Sequence, residues 1–341
     1  MVMEKPQKPE CTGMDKTNAD TSASVQTRGQ IENHGRRAVE ALRQRAAQWD
    51  VPFDMRDDWA IFSVWKCEAR LKCEGDLLDI ILTAPDRRLL LTLQGSLAEL
   101  FEDQKLAVIW DDVAEGALAP GLSLMRVRSV HRRSPGFVRV GVEAEDAERF
   151  ASGGLHFRLL LPPQGRLPVW PRITASSRTV WPDGDDALHK PVYTTVRQAG
   201  TVLEFDVFRH AGSPTSDWAD SNPIGQTVGI MGPGGGACPA GQPLFLFGDE
   251  TALPAISRML SLAEGPVHAF VRAAPEDLCE LQDDPRVRRV DDLLAALEAL
   301  PSNHGGFTWF AAHAEAARKA RVLLVGRGLK KQDFTAAAYW T

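Results

Sequence analysis

The feature that most narrows what this chain can fold into is a change of rhythm after Gln242. Residues 243–247 form an apolar run of strand length, 252–263 a helical pattern, 267–271 a strand, 290–300 a helix, 307–310 a strand and 314–324 a helix. Strands alternating with helices predict a parallel sheet, because a parallel connection needs a crossover long enough to hold a helix. Before Gln242 the pattern differs. Residues 124–130, 137–142, 157–161, 192–197, 203–209 and 227–231 are strand-length runs between turn residues, with one short helix over 215–220. That pattern predicts an antiparallel β-barrel.

Upstream, Ala38, Leu42, Ala46 and Trp49 repeat at helical spacing within residues 33–49. Strands are expected over 60–65, 69–73, 77–82 and 89–93, and a helix over 96–101. The expected organisation is a disordered tail over 1–28 and a small α+β accessory domain of unassigned role over 29–115. A barrel domain over 120–240 and a Rossmann-like α/β domain over 241–341 follow, with a linker over 113–121.

Charge narrows the partners. With 39 Lys and Arg against 45 Asp and Glu, the net charge of −6 argues against nucleic acid. No apolar run approaches the roughly 20 residues of a membrane span. The amino terminus lacks the apolar stretch of a secretory signal. The five cysteines are scattered without a Cys-x-x-Cys pair, so zinc is not expected and a reducing compartment is. The chain is accordingly read as a cytoplasmic monomer without membrane insertion.

Four stretches carry chemistry. Pro191 to Arg197 places Tyr193, Thr194 and Arg197 in one strand-like run, a ring, a hydroxyl and a guanidinium suited to an aromatic, phosphate-bearing cofactor such as a flavin. An ordinary strand accounts for them as well. Gly232-Pro233-Gly234-Gly235-Gly236 lets main-chain amides approach a phosphate, or is a plain loop. Gly248-Asp249-Glu250-Thr251-Ala252 joins the first strand of the last domain to its helix, where an α/β sheet binds nucleotides, although Asp249 or Thr251 serves equally as an N-cap. Finally, Arg318, Lys319, Arg321, Arg327, Lys330 and Lys331 form a basic cluster, read as a solvated helix face or an anion-docking surface.

Together these motifs resemble the siderophore-interacting protein family, FAD-containing ferric-siderophore reductases related to ferredoxin-NADP reductases. The resemblance runs from Ser123 to Thr341. It is carried by Phe157 to Pro162, Tyr193-Thr194 with Arg197, His210 through Pro214 to Trp218-Ala219, Gly232 to Gly235, Gly248 to Ala255, and Tyr339-Trp340. It implies that FAD is held by Tyr193, Thr194, Thr195, Val196, Arg197, His210, Pro214, Thr215, Trp218, Gly232, Pro233, Gly234 and Gly235. Tyr193, Thr194 and His210 would lie beside the reacting ring, and NADH or NADPH near Asp249, Glu250, Thr251 and Ala252. Lys330 and Lys331 would hold an anionic ferric siderophore. Two departures stand out: Pro191 where the family usually has Arg, and His313 where it commonly has a carboxylate. Two alternatives stay open, a general NAD(P)H:flavin reductase or flavin electron-transfer protein, and a non-enzymatic ferric-siderophore binder.

Overall fold

Alternation at period two, masked in the sequence by small and polar residues, builds the amino-terminal sheet. In the computed structural model, which describes residues 24–239, 243–301 and 305–341, Thr27, Gly29 and Ile31 are buried while the residues between them are exposed. They belong to β1 (Val25–Glu32), so the expected tail ends before Val25, and its first 23 residues lie outside the described ones. No strand is expected there from the sequence because Thr and Gly do not register as apolar. Gly29 is required, since a Cβ there would lie 2.4 Å from the Trp110 ring.

The chain divides into two compact units, Met1–Val113 and Ala114–Thr341. In the first, β1 is followed by α1 (Gly35–Trp49), β2 (Phe53–Arg56), β3 (Trp59–Val64), β4 (Cys67–Glu74), β5 (Leu77–Ala84), α2 (Arg87–Asp103) and β6 (Ile109–Trp110). The sheet is antiparallel in the order β2-β3-β4-β5-β1-β6. Both helices cover one face, burying Leu42, Leu90, Leu97 and Phe101 against Phe62, Leu71 and Ile80. Residues 89–93, expected as a strand, are helical. A short leucine run fits either period, and here the Asp86 side chain caps the Leu89 N–H at 2.8 Å and starts one helix through Asp103.

The second unit opens with β7 (Leu122–Arg132), β8 (Phe137–Glu143), β9 (His156–Leu160), the hairpin β10 (Arg172–Ile173) and β11 (Thr179–Val180), β12 (Val192–Thr194), β13 (Arg197–Ala199), β14 (Val202–Phe208), α3 (Pro214–Asp220) and β15 (Thr227–Gly234). Seven of these strands form one antiparallel sheet, β12-β9-β15-β7-β8-β14-β13. Its two edge strands, β12 and β13, are separated in the chain only by Thr195 and Val196, so the sheet curls until its edges meet. The single strand expected over 192–197 is therefore two strands with a corner between them. Residues 114–121, expected as a linker, are tied down: Gly116 N–H donates to Ile173 O and Ala119 N–H to Pro171 O.

The α/β layer follows as β16 (Leu244–Asp249), α4 (Leu253–Leu262), β17 (Val267–Arg272), β18 (Val287–Arg289), α5 (Leu293–Glu298), β19 (Phe307–His313), α6 (Ala314–Gly326) and β20 (Phe334–Trp340). All five strands are parallel, in the order β18-β17-β16-β19-β20. Barrel and layer share a core in which Phe137 packs among Leu244, Leu253 and Ile256. Polar ties add to it. Asp277 accepts from Ser134 Oγ and Gly136 N–H, both at 2.7 Å, and Arg258 of α4 donates to Thr195 O and Phe150 O at 2.6 and 3.1 Å. Among the described residues no helix is long and apolar enough to cross a membrane.

Candidate functional site

The strand order reverses direction between β16 and β19, and the carboxyl ends of those two strands are where an open parallel sheet leaves a crevice. Asp249 ends β16 there, wholly buried. A carboxylate in that position needs donors, and it has four. Thr251 N–H and Oγ1 donate to Oδ1 at 3.1 and 2.6 Å, and Trp340 Nε1 and the His313 N–H donate to Oδ2 at 2.8 and 3.1 Å. Asp249 thereby joins the start of α4 to the ends of β19 and β20. The Arg272 guanidinium stands 4.0 Å away, and the His313 ring meets Trp340 edge-on at 4.6 Å between centroids.

The barrel contributes the facing wall. On β12, Tyr193 packs against Phe205 with ring centroids 5.4 Å apart, and its hydroxyl is bonded to Thr215. Burial pushes the Tyr193 phenol up to about 12. His189 Nε2 lies 3.0 Å from Thr215 Oγ1, and burial lowers that imidazole's pKa. Thr194 sits directly across from His156 of β9, with His156 Nδ1 3.0 Å from Thr194 Oγ1. His156 Nε2 is 3.2 Å from the Tyr339 hydroxyl on β20. Burial, then the charge of Arg258, brings His156 down to about 4, so it is a neutral ring at physiological pH. Burial also raises the Tyr339 phenol, and the Asp249 charge adds to this.

Between these walls lies a cleft of about 550 Å³, within the 300–1,000 Å³ usual for cofactor sites. Tyr193, Thr194, His210, Pro214, Thr215 and Thr251 all line it, as do His156, His189, Pro254, Tyr339 and Trp340. Neither His156 in β9 nor His189 in the segment before β12 is marked in the sequence, since an isolated histidine carries no periodic signal. Tyr339 and Trp340 are marked in the sequence only through the family resemblance.

Other expected residues lie elsewhere. Arg197 starts β13 beyond the corner, mostly exposed and 3.7 Å from Glu204, outside the lining of this cleft. Thr195 and Val196 form the corner itself, where Thr195 O accepts from Arg258 and Val196 N–H donates to Glu204 O. Trp218 is buried in the barrel core, its indole donating to Gln226. Gly232, Pro233 and Gly234 end β15, with Gly235 just beyond, and this stretch packs beside β9: a Cβ on Gly154 would lie 2.4 Å from Gly234 O, so close backbone approach accounts for glycine at that crossing. Ala252 is in the layer core, and Glu250 lines a second hollow of about 310 Å³ with Phe208, Arg272 and Arg289. Lys330 and Lys331 precede β20 at the amino edge of the sheet, whereas the cleft adjoins residues 338–340 at its carboxyl edge. Seven strand residues separate the two edges, roughly 20 Å of extended chain. The helix α6 thus returns the chain to the sheet edge away from the cleft, and these lysines do not line it.

The lining suits a flavin's ring system. It pairs an apolar body from Tyr193, Phe208, Pro214 and Pro254 with a few convergent hydroxyls, Thr194 and Thr215, the mixture that fixes a planar heteroaromatic group. The lining also carries the imidazoles of His156, His189 and His210 and the carboxylate of Asp206; the expected guanidinium is not among the lining residues.

Comparison with known proteins agrees with this geometry. The profile of the siderophore-interacting FAD-binding domain matches residues 126–237, and that of the siderophore-interacting protein matches 242–341, together more than half of the chain. Over 161 residues the chain is 29% identical to a ferric vibriobactin reductase of Vibrio cholerae, covering 44% of this chain and 57% of that protein, less than two thirds of its length. It is 26% identical over 240 residues to an NADPH-dependent ferric-chelate reductase of Escherichia coli, covering 63% of this chain and 91% of that one. The solved structure of a siderophore utilization protein from T. fusca superposes with a TM-score of 0.51 at 27% identity, over 64% of this chain and 92% of that chain. By its two profiles and by the barrel and parallel layer that meet at its cleft, the chain belongs to the siderophore-interacting protein family.

Proposed function

We propose that this protein reduces ferric siderophores with electrons from NADH or NADPH passed through FAD. One observation carries the reading: a barrel wall bearing Tyr193 and Thr194 faces the carboxyl edge of a parallel nucleotide-type sheet across a single cleft. Ferric iron held by hard oxygen ligands is released readily only after it gains an electron, which weakens its preference for those ligands. The chemistry FAD supplies when bound is the conversion of a nicotinamide's electron pair into single electrons for iron.

The chain's own residues prepare the site for that task. Tyr193 offers a ring held by Phe205 and by Thr215, and Thr194 offers a hydroxyl to a ring nitrogen. The Asp249 hub fixes Thr251 and Trp340 on the opposite wall, so that the two walls keep their spacing. Reduced nicotinamide is supplied in the cytoplasm, and the free thiols of Cys67, Cys73, Cys238 and Cys279 suit that compartment.

The purified protein is expected to be yellow or to take up added FAD, to bleach anaerobically with NADH or NADPH, and to regain colour on addition of a ferric hydroxamate with a ferrous trap present. A protein that rejects FAD overturns the reading. Turnover on free FMN equal to that on the iron complex identifies a general flavin reductase instead, and iron-chelate binding without nicotinamide oxidation identifies a carrier.

The donor also leaves a mark. Arg272 and Arg289 end β17 and β18 and both line the smaller hollow beside Glu250, where a dinucleotide crossing the strand ends would set its phosphates. Arg272→Ala with Arg289→Ala is expected to raise KM for NADPH about tenfold while changing KM for NADH less. Equal KM values before and after the change, for both donors, would remove these arginines from the site.

A further inference from the structure

The hydroxyl that Thr194 turns toward the cleft is not free to point as it likes. Its cross-strand neighbour His156 stands 3.0 Å away through Nδ1, and the same ring is 3.2 Å from the Tyr339 hydroxyl through Nε2. The two rings meet edge-on, 5.9 Å between centroids at 82°. The imidazole is seated by a glycine: at Gly235, with φ of +76°, a Cβ would lie 2.5 Å from His156 Cδ2 and 2.9 Å from its Cβ. Three strands therefore hold this ring, β9 that carries it, β12 across from it and β15 behind it.

A neutral imidazole has one N–H and one lone pair, so its two hydroxyl neighbours cannot behave alike. When Nδ1 carries the proton, Thr194 accepts from the ring and its own proton is left for the cleft, while Tyr339 donates to Nε2. When Nε2 carries it, Thr194 donates to Nδ1 and turns a lone pair to the cleft, while Tyr339 accepts. Both arrangements hold the same number of protons, and both leave the imidazole satisfied.

We propose that His156 is a positioning residue that sets, through the chain Tyr339–His156–Thr194, whether Thr194 meets the bound ring system as a donor or as an acceptor. This rests on the reading of the cleft as an FAD site. A flavin ring nitrogen is bare when oxidised and bears hydrogen when reduced, and a partner of reversible polarity bonds both forms without orphaning a buried hydroxyl.

The test is a double-mutant cycle read by FAD affinity, from quenching of flavin fluorescence in titrations of FAD-free full-length protein. His156→Phe keeps the ring and removes both nitrogens; it is expected to weaken FAD about tenfold. In a Thr194→Val background the same change is expected to alter affinity less than about twofold, because the hydroxyl it positions is already gone. His156→Gln, which offers one donor and one acceptor, is expected to return to within about threefold of the unmodified protein, and His156→Met, which offers no N–H, takes the place of Phe in the cycle should His156→Phe not fold. Equal losses in both backgrounds, or a Gln variant as impaired as Phe, would overturn the proposal and leave the FAD reading intact. An unmodified protein that binds no FAD would instead overturn the FAD reading itself.

Discussion

Replacing Arg258 by methionine lowers the unfolding free energy of the carboxy-terminal unit by about 3 kcal/mol or more. The guanidinium is buried, with no carboxylate within ion-pair distance among the described residues. It is held by carbonyls of the barrel, Nη1 donating to Thr195 O at 2.6 Å and Nη2 to Phe150 O, Ala151 O and Gly154 O at 3.1 to 3.4 Å. Burial lowers its pKa, as expected for a charge whose compensation comes from dipoles alone. Methionine fills much of the space but leaves those carbonyls without their donor, and each orphaned buried acceptor costs about 1–3 kcal/mol. Arg258→Lys keeps the charge and loses the forked geometry, so it should fall between the two. Urea unfolding curves decide the matter through the midpoint at constant slope. A methionine variant within about 1 kcal/mol of the original would mean that these bonds hold nothing together.

The carbonyls Arg258 collects also show how far the sequence was legible. Nothing local marks Arg258: it sits in a helix where an arginine normally faces water, and its partners are more than 60 positions away in the chain. Period-two and period-3.6 patterns reveal which face of an element is apolar, so the alternating strands and helices after Gln242 and the strand-rich stretch before it were recoverable. Tertiary closure was not. Whether residues 192–197 make one strand or two depends on the barrel folding its edges together at Thr195 and Val196. Similarly, β20 contains Ala336, Ala337 and Ala338, residues with little intrinsic preference for a strand, and pairs with β19 because the sheet has an open edge there.

The site was legible to the same degree. Tyr193, Thr194, His210 and Thr251 share a cleft because short motifs at strand ends and turns carry their geometry locally. Arg197 lies outside the cleft lining for a reason of topology, three residues after Thr194 but on the opposite edge of the sheet before closure. The Lys330-Lys331 pair lies at the far edge because proximity in sequence to a motif says nothing about which edge of a parallel sheet a loop reaches. His156 was invisible for the opposite reason. Its partners come from β12 and β20, and only the assembled barrel and layer bring two hydroxyls to one ring.

The second large effect concerns the wall of the same cleft. Asp206 on β14 lies directly across from Arg139 on β8, its side chain 1% exposed. Arg139 Nε and Nη2 grip its two oxygens at 2.7 and 2.9 Å, and Arg133 Nη1 adds a third bond at 2.9 Å. The bonds to Asp206 raise the Arg139 pKa. Arg133 also reaches Glu280 of the α/β layer at 2.5 Å, so one carboxylate anchors a guanidinium that spans both layers. Asp206→Ala is expected to cost about 3–5 kcal/mol, because it strands the Arg139 cation, only 18% exposed, and takes from Arg133, 12% exposed, one of its two carboxylate partners. Added salt should restore little of this, since buried pairs are weakly screened. The discriminating measurement is the double variant Asp206→Ala with Arg139→Met. Removing the stranded charge is expected to recover at least about 1 kcal/mol, giving a double variant more stable than the single. If the double variant is instead as unstable as the sum of its parts, the loss comes from packing around Asp206 rather than from an uncompensated charge.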